Sequence, residues 1–217
     1  IIYIITIINQ PMKLISTLIL TFLLSGCFIF GDPVEFDETT GQTPQWILSR
    51  GAAYASNSDW PAAIRILEKG EQRYPNSKLA PQFKLDLAYS YYRFSQDAEA
   101  VAMLDKFIRL YPNHPTVDYA FYLKGVVLFI DRGLMDKLTL QDISDRDVAP
   151  LKESFKAFEI IVERYPDSKY YDDCIIRMTY LMNKMAENEI HVGRYYMKRK
   201  AYIAALNRAQ FVLKEYP

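Results

Sequence analysis

The run LAYSYYRFSQDAEAVAMLDKFIRLYPN, residues 87–113, decides the fold. Its apolar residues recur every three to four positions on both sides of Ser95-Gln96-Asp97, which describes two amphipathic helices joined by a short turn. Asp97 is placed to cap the second helix from Ala98. Tyr111-Pro112 stops it, because proline lacks the N–H that would continue the ladder and bars the residue before it from helical backbone. Small residues stand at Ala88 and Ala100, followed by the larger Tyr91 and Leu104. Two helices that cross closely admit only Gly or Ala at the contact point, and larger side chains then fill the flanking layers.

The same order occurs one unit earlier, as Gly51, Tyr54, Ala63, Leu67 and Pro75. Tyr-Pro itself recurs at 74–75, 111–112, 165–166 and 216–217. Paired helices with a period in the thirties point to tetratricopeptide (TPR) repeats. A third copy is split: Gly125 and Leu128 suit its first helix, and Ser154, Phe158 and Pro166 its second. Between them lie 17 extra residues, Arg132 to Val148. A fourth copy, counted back from Pro217, places Gly193, Tyr196, Ala205 and Ala209, with a first helix reaching back to about Tyr170. Helix starts agree. Thr43-Pro44 and Ser58-Asp59-Trp60-Pro61 pair a capping residue with an early proline, and Ser77 precedes a helix with Pro81 in its first turn. The expectation is an all-α fold, a TPR-type helix-pair solenoid with an insertion in the third repeat. The TPR domain occupies 44–217 with about four repeats. The chain ends at a repeat boundary without a polar capping helix, which predicts a longer natural chain.

The N-terminus reads as an address. From Met12 there is one basic residue, Lys13, then eleven apolar-run residues, Leu14 to Leu24, then small residues. This is the pattern of a secretory signal peptide, with residues 1–11 a misplaced start. The run ends Leu24-Ser25-Gly26-Cys27, which resembles a bacterial lipobox. Such a site carries a thioether-linked diacylglycerol on Cys27, and cleavage frees its amine for a third acyl chain, such as palmitate. Two or more chains anchor stably where one does not. Phe28 rather than Asp after the cysteine favours the outer membrane. Residues 1–26 are therefore read as upstream residues and signal peptide, and 27–43 as a lipidated cysteine and flexible tether.

Composition narrows the chemistry. In 217 residues, Lys+Arg and Asp+Glu balance at 26 each, which argues against nucleic acid as a partner. Two histidines, His114 and His191, do not furnish a histidine-rich metal site. The acidic stretch Asp142-Ile143-Ser144-Asp145-Arg146-Asp147 lacks calcium-loop spacing and is read as a loop closed by Arg146 on its neighbouring carboxylates. No nucleophile elbow, phosphate loop or zinc-protease motif occurs, so the reading is a non-enzyme without cofactors. Cys174 is read as a buried helical cysteine.

Several stretches together carry a sharper resemblance: Phe107-Ile108-Arg109-Leu110-Tyr111-Pro112-Asn113-His114-Pro115, Asp118 to Gly125, Ser144-Asp145-Arg146-Asp147, Val192 to Tyr196, and Asn207-Arg208. With the lipobox, they make the chain similar to the BamD family, the TPR lipoproteins of the outer-membrane β-barrel assembly machine. The family's usual fifth repeat is not found. The resemblance implies a lipid-anchored scaffold on the periplasmic face of the outer membrane. Implied partners are unfolded outer-membrane proteins, the periplasmic domains of the barrel component, accessory lipoproteins and outer-membrane lipid. Tyr89, Tyr92, Arg93, Tyr119, Tyr122 and Lys124 are the expected substrate-peptide groove, since exposed tyrosines with a few cations suit a peptide ending in an aromatic residue and a carboxylate. Arg194, Asn207 and Arg208 are the expected partner interface. The repeats alone also fit a TPR lipoprotein that organises peptidoglycan or cell-division partners.

Overall fold

The computed structural model describes residues 37–129 and 148–216. Cys27, most of the tether, the stretch Asp142–Asp147 and Pro217 lie outside the described residues. Chain contacts separate residues 1–40 from 41–217. In the first unit, Asp37 closes a turn, accepting from both the N–H (3.0 Å) and the hydroxyl (2.6 Å) of Thr39.

In the second unit the described residues form eight α-helices: α1 Pro44–Ser56, α2 Trp60–Arg73, α3 Ala80–Arg93, α4 Asp97–Leu110, α5 Val117–Leu128, α6 Ala149–Arg164, α7 Tyr171–Lys198 and α8 Tyr202–Glu215. They pack as hairpins, α1 on α2, α3 on α4, α5 on α6 and α7 on α8, and the second helix of each hairpin also packs on the first helix of the next. This is the expected all-α stack of helix pairs. The two helices of the split repeat, α5 and α6, pair like the others.

Small residues set the crossings. A Cβ on Gly51 would lie 2.7 Å from Leu67, and one on Gly125 would lie 2.4 Å from Phe158. Ala63, Ala88 and Ala100 are fully buried at the matching positions. The Ser154 hydroxyl donates to the Gly125 carbonyl (2.8 Å), tying the α5–α6 crossing together. One core runs from Ile47 through Phe83, Leu104 and Phe107 to Val127, and a second collects Phe158, Ile161, Cys174, Leu181 and Met185. Burial pushes the Cys174 thiol up to about 12, so it stays neutral.

The turns repeat as faithfully as the helices. Tyr74, Tyr111, Tyr165 and Tyr216 each end a helix with φ between −125° and −133°. After the first three, a residue two beyond the proline accepts from the N–H two further on: Ser77 Oγ from Leu79, His114 Nδ1 from Thr116, and Ser168 Oγ from Tyr170. His114 is thus a turn residue standing where the other repeats use serine. Within hairpins, Ser58, Ser95 and Lys200 adopt positive φ (59°, 62° and 62°). The N–H that follows each returns to the carbonyl of Tyr54, Tyr91 or Tyr196.

Two helix starts differ from expectation. Thr43 and Asp59 cap α1 and α2 through their side chains. By contrast α4 begins at Asp97 itself, with Gln96 at the cap position and no side-chain cap bond. The N–H of Gln96 is drawn back to Tyr91, which ends the turn one residue earlier than capping by Asp97 requires. Ser77 orders the turn before α3, while Leu79 occupies its cap position.

One ion cluster inside the stack is not apparent from helical periodicity. Lys84, 2% exposed, pairs with Glu71 at 3.0 Å, and Lys106 meets the same carboxylate oxygen at 2.8 Å, joining α2, α3 and α4. Burial alone would raise Glu71, but hydrogen bonds and charge from Lys106 and Lys84 hold its carboxyl below its ordinary value. A carboxyl lowered in the fold stabilises above its unfolded value and loses that contribution as pH falls through the folded one. Glu71→Gln should therefore cost roughly 3 kcal/mol at pH 7, because it leaves a buried ammonium uncompensated. It should also flatten the decline in stability on acidification. Urea unfolding at pH 7 and below pH 4 measures both, and a variant as stable as its parent at pH 7 contradicts the assignment.

Candidate functional site

Helix α3 presents two faces. Phe83, Leu87, Ala88 and Tyr91 point into the core, and the Tyr91 hydroxyl donates to Glu68 on α2. Burial and that carboxylate push the Tyr91 phenol well up. On the opposite face, Gln82, Asp86, Tyr89 and Arg93 recur at helical spacing and stay exposed or half-buried.

Tyr89, Tyr92 and Arg93 meet around a residue not anticipated from the sequence, Trp60, the first residue of α2. Trp60 packs edge-on to Tyr89 (6.0 Å between centroids), and Tyr89 tilts against Tyr92 (6.4 Å). The Arg93 guanidinium lies 4.7 Å above the Trp60 ring and donates from Nη1 to the Tyr89 hydroxyl at 2.9 Å. Among the described residues Arg93 has no carboxylate partner. It is a cation held in place by aromatic faces, with donors left for an anion. Trp60 was hidden because the Trp-Pro pair reads as a helix start. Only the crossing of α2 on α3 brings it beside Arg93.

Tyr119 and Tyr122 form a second cluster where α5 meets α7. Tyr122 stacks on Tyr170 (4.3 Å, 15°), and its hydroxyl donates to Asp173 at 2.9 Å. Arg177 Nε donates to the same carboxylate at 2.6 Å. Burial would raise Asp173, but hydrogen bonds from Arg177 and Tyr122 hold it below its ordinary value. Tyr119 tilts against Tyr170 (5.8 Å). Burial, with Tyr170, Tyr89 and Asp86 nearby, pushes the Tyr119 phenol up to about 12. Tyr119 therefore packs at the α5–α7 junction within electrostatic reach of the α3 stripe. Lys124 stands apart from both clusters, donating to Asp105 on α4 at 2.6 Å.

Arg194, Asn207 and Arg208 gather around the α7–α8 hairpin. A groove of about 540 Å³ between these helices is lined by Ile190, Met197, Leu206 and Val212 together with the charged Glu189, Arg194 and Arg208. Asn207 and Arg208 also border a smaller hollow of about 310 Å³ with Tyr196 and Phe211. Arg208 Nη1 donates to Glu189 at 2.9 Å, so this cation is oriented by its own hairpin. Among the described residues no group of His, Cys, Asp or Glu is arranged to hold a metal ion.

A family model described as "Outer membrane lipoprotein", YfiO, matches residues 41–217, which take in every one of these helices. The chain belongs to this family. It is 41% identical over 209 residues to the outer membrane protein assembly factor BamD of Neisseria meningitidis serogroup B, covering 94% of this chain and 77% of that protein. It is 35% identical to the protein of the same name from Vibrio cholerae, covering 91% and 83%. The corresponding figures for Haemophilus influenzae are 27%, 96% and 78%. The family description and the relatives' names support the expected association with the outer membrane.

The two tyrosine clusters differ in what their polar groups already hold. Tyr122→Phe removes a bond between helices and should lower stability by about 1 kcal/mol. Lys124→Ala removes a pair whose carboxylate is half exposed and should cost no more than about 0.5 kcal/mol. Urea unfolding of both variants tests this, and a larger loss for Lys124→Ala would reverse the assignment of Tyr122 as the α5–α7 joint.

Proposed function

We propose that this protein is a non-catalytic scaffold of outer membrane protein assembly. It is anchored by acyl chains on Cys27 to the periplasmic face of the outer membrane. The α3–α5 surface binds unfolded outer-membrane proteins, and the α7–α8 hairpin binds the periplasmic domains of the barrel component. Membership in an outer membrane lipoprotein family and relatives named as assembly factors support this reading. The observation that carries it is Arg93, held over Trp60 beside Tyr89 and Tyr92 with no carboxylate partner among the described residues. A peptide ending in an aromatic side chain and a carboxylate supplies what this site lacks. Accessory lipoproteins are expected in the same assembly.

The α7–α8 hairpin suits a protein partner for a different reason. A largely apolar groove that also holds Arg194, Arg208 and Glu189 offers both buried area and charge selectivity. Binding there exchanges the Glu189 contact of Arg208 for one with the partner.

Arg208→Ala should reduce co-purification of the barrel component from solubilised outer membranes at least about tenfold, the loss expected for truncating one member of a charge pair across an interface. The helical circular dichroism signal should be unchanged. Undiminished co-purification of a barrel protein, or recovery of cell-wall enzymes instead, would overturn the assigned partner. Cys27→Ser should yield a soluble periplasmic protein on fractionation; a variant still in the outer membrane contradicts the anchor.

A further inference from the structure

The α3 stripe carries a second charged group of opposite sign. Asp86 lies three residues before Tyr89 and seven before Arg93, so all three share one helix face. Its Oδ1 accepts from the Gln82 amide at 2.6 Å, and among the described residues neither a second hydrogen bond nor a salt bridge reaches the carboxylate. Tyr89 follows Asp86 on the same face of α3, and the charge of Asp86 reaches the Tyr119 phenol on α5. Burial pushes its carboxyl up, only partly offset by the Gln82 bond. The half-buried carboxylate is thus poorly solvated, and an incoming cation or N–H donor would relieve its desolvation.

We infer that the groove is bipolar: Arg93 takes the terminal carboxylate of the bound peptide, and Asp86 selects a basic side chain upstream of it. Seven helical residues separate the two groups by about 10 Å along the axis. An extended peptide covers that distance in about three residues of roughly 3.3 Å each. Tyr89 lies between the poles and offers its ring to the intervening chain. A peptide carrying Lys or Arg about three residues before an aromatic C-terminus satisfies both poles. A glutamate there faces a carboxylate of the same sign in a poorly solvated site. This inference rests on the groove reading above and adds a specificity-determining residue to it.

The test uses the mature chain and fluorescent ten-residue peptides ending in phenylalanine, read by anisotropy. Three peptides suffice: lysine three residues before the end, glutamate at that place, and the lysine peptide with an amidated C-terminus. The lysine peptide should bind at least about tenfold tighter than the glutamate peptide, as for a poorly solvated charge pair. Asp86→Asn is nearly isosteric and should bring the two within about twofold while keeping the preference for free acid over amide. Arg93→Ala should do the reverse, abolishing the acid preference and keeping the lysine preference. Equal binding of the lysine and glutamate peptides by the parent protein overturns the role of Asp86 without needing any variant. So does a lysine preference that survives Asp86→Asn. If no peptide binds, or Arg93→Ala leaves the acid preference intact, the groove reading itself falls.

Discussion

Close approach of two helices at a residue with no side chain is the constraint on which the rest of this protein depends. At Gly125 even one added carbon would sit 2.4 Å from Phe158, and at Gly51 it would sit 2.7 Å from Leu67. Such crossings bring the hairpin backbones together and leave little freedom in the angle between them. The angle decides which residues of each first helix face the core and which face outward. With Ala88 fully buried at the crossing, Asp86, Tyr89 and Arg93 turn outward together. The last hairpin is looser. A Cβ on Gly193 would lie 3.6 Å from its nearest neighbour, Arg208, an ordinary contact, and Ile203 and Leu213 are each 78% exposed. An apolar groove survives there because nothing among the described residues closes it.

Turn chemistry sets the spacing between hairpins. Tyrosine before proline leaves the helical region, and the next side-chain acceptor gathers the following N–H. Ser77, His114 and Ser168 do this with an oxygen, a ring nitrogen and an oxygen respectively. The chemistry required is an acceptor at that place, which explains why a histidine substitutes without any catalytic purpose. His114 also packs edge-on to Phe107 (5.5 Å), so its ring adds apolar contact that a serine lacks.

Much of this was legible in the sequence, because the signals are local. Helical period, early prolines, Tyr-Pro stops and small crossing residues all lie within one repeat, and each points to the same element. The family resemblance added the expected surfaces. What stayed hidden depends on helix phase and crossing angle together. Tyr122 meets Asp173 across 51 residues, and Lys106 meets Glu71 across 35. Neither spacing is encoded in a motif. Trp60 looked like part of a helix start, and Lys124 looked like a free cation until α4 brought Asp105 to it. Asp86 was within reach of pattern reading, since it shares a helical stripe with Tyr89 and Arg93, but that no cation among the described residues pairs with it is visible only in three dimensions.

The two proposed binding surfaces treat their arginines differently, and the difference has consequences for binding. Arg93 is fixed by ring faces and a phenol, none of which carries charge. An arriving carboxylate therefore adds an ion pair without displacing one, and the side-chain ordering is already accomplished. Arg208 is fixed by Glu189, so a partner carboxylate must either share the guanidinium or replace an existing pair. On the proposed reading, the first arrangement suits many unfolded clients that share a terminal carboxylate, an aromatic side chain and a basic side chain upstream of it. The second suits one folded partner whose complementary surface can repay the exchange through apolar burial in the adjacent groove. For the proposed scaffold, varied clients and a single partner call for these two kinds of site, and the two proposed surfaces lie on separate hairpins.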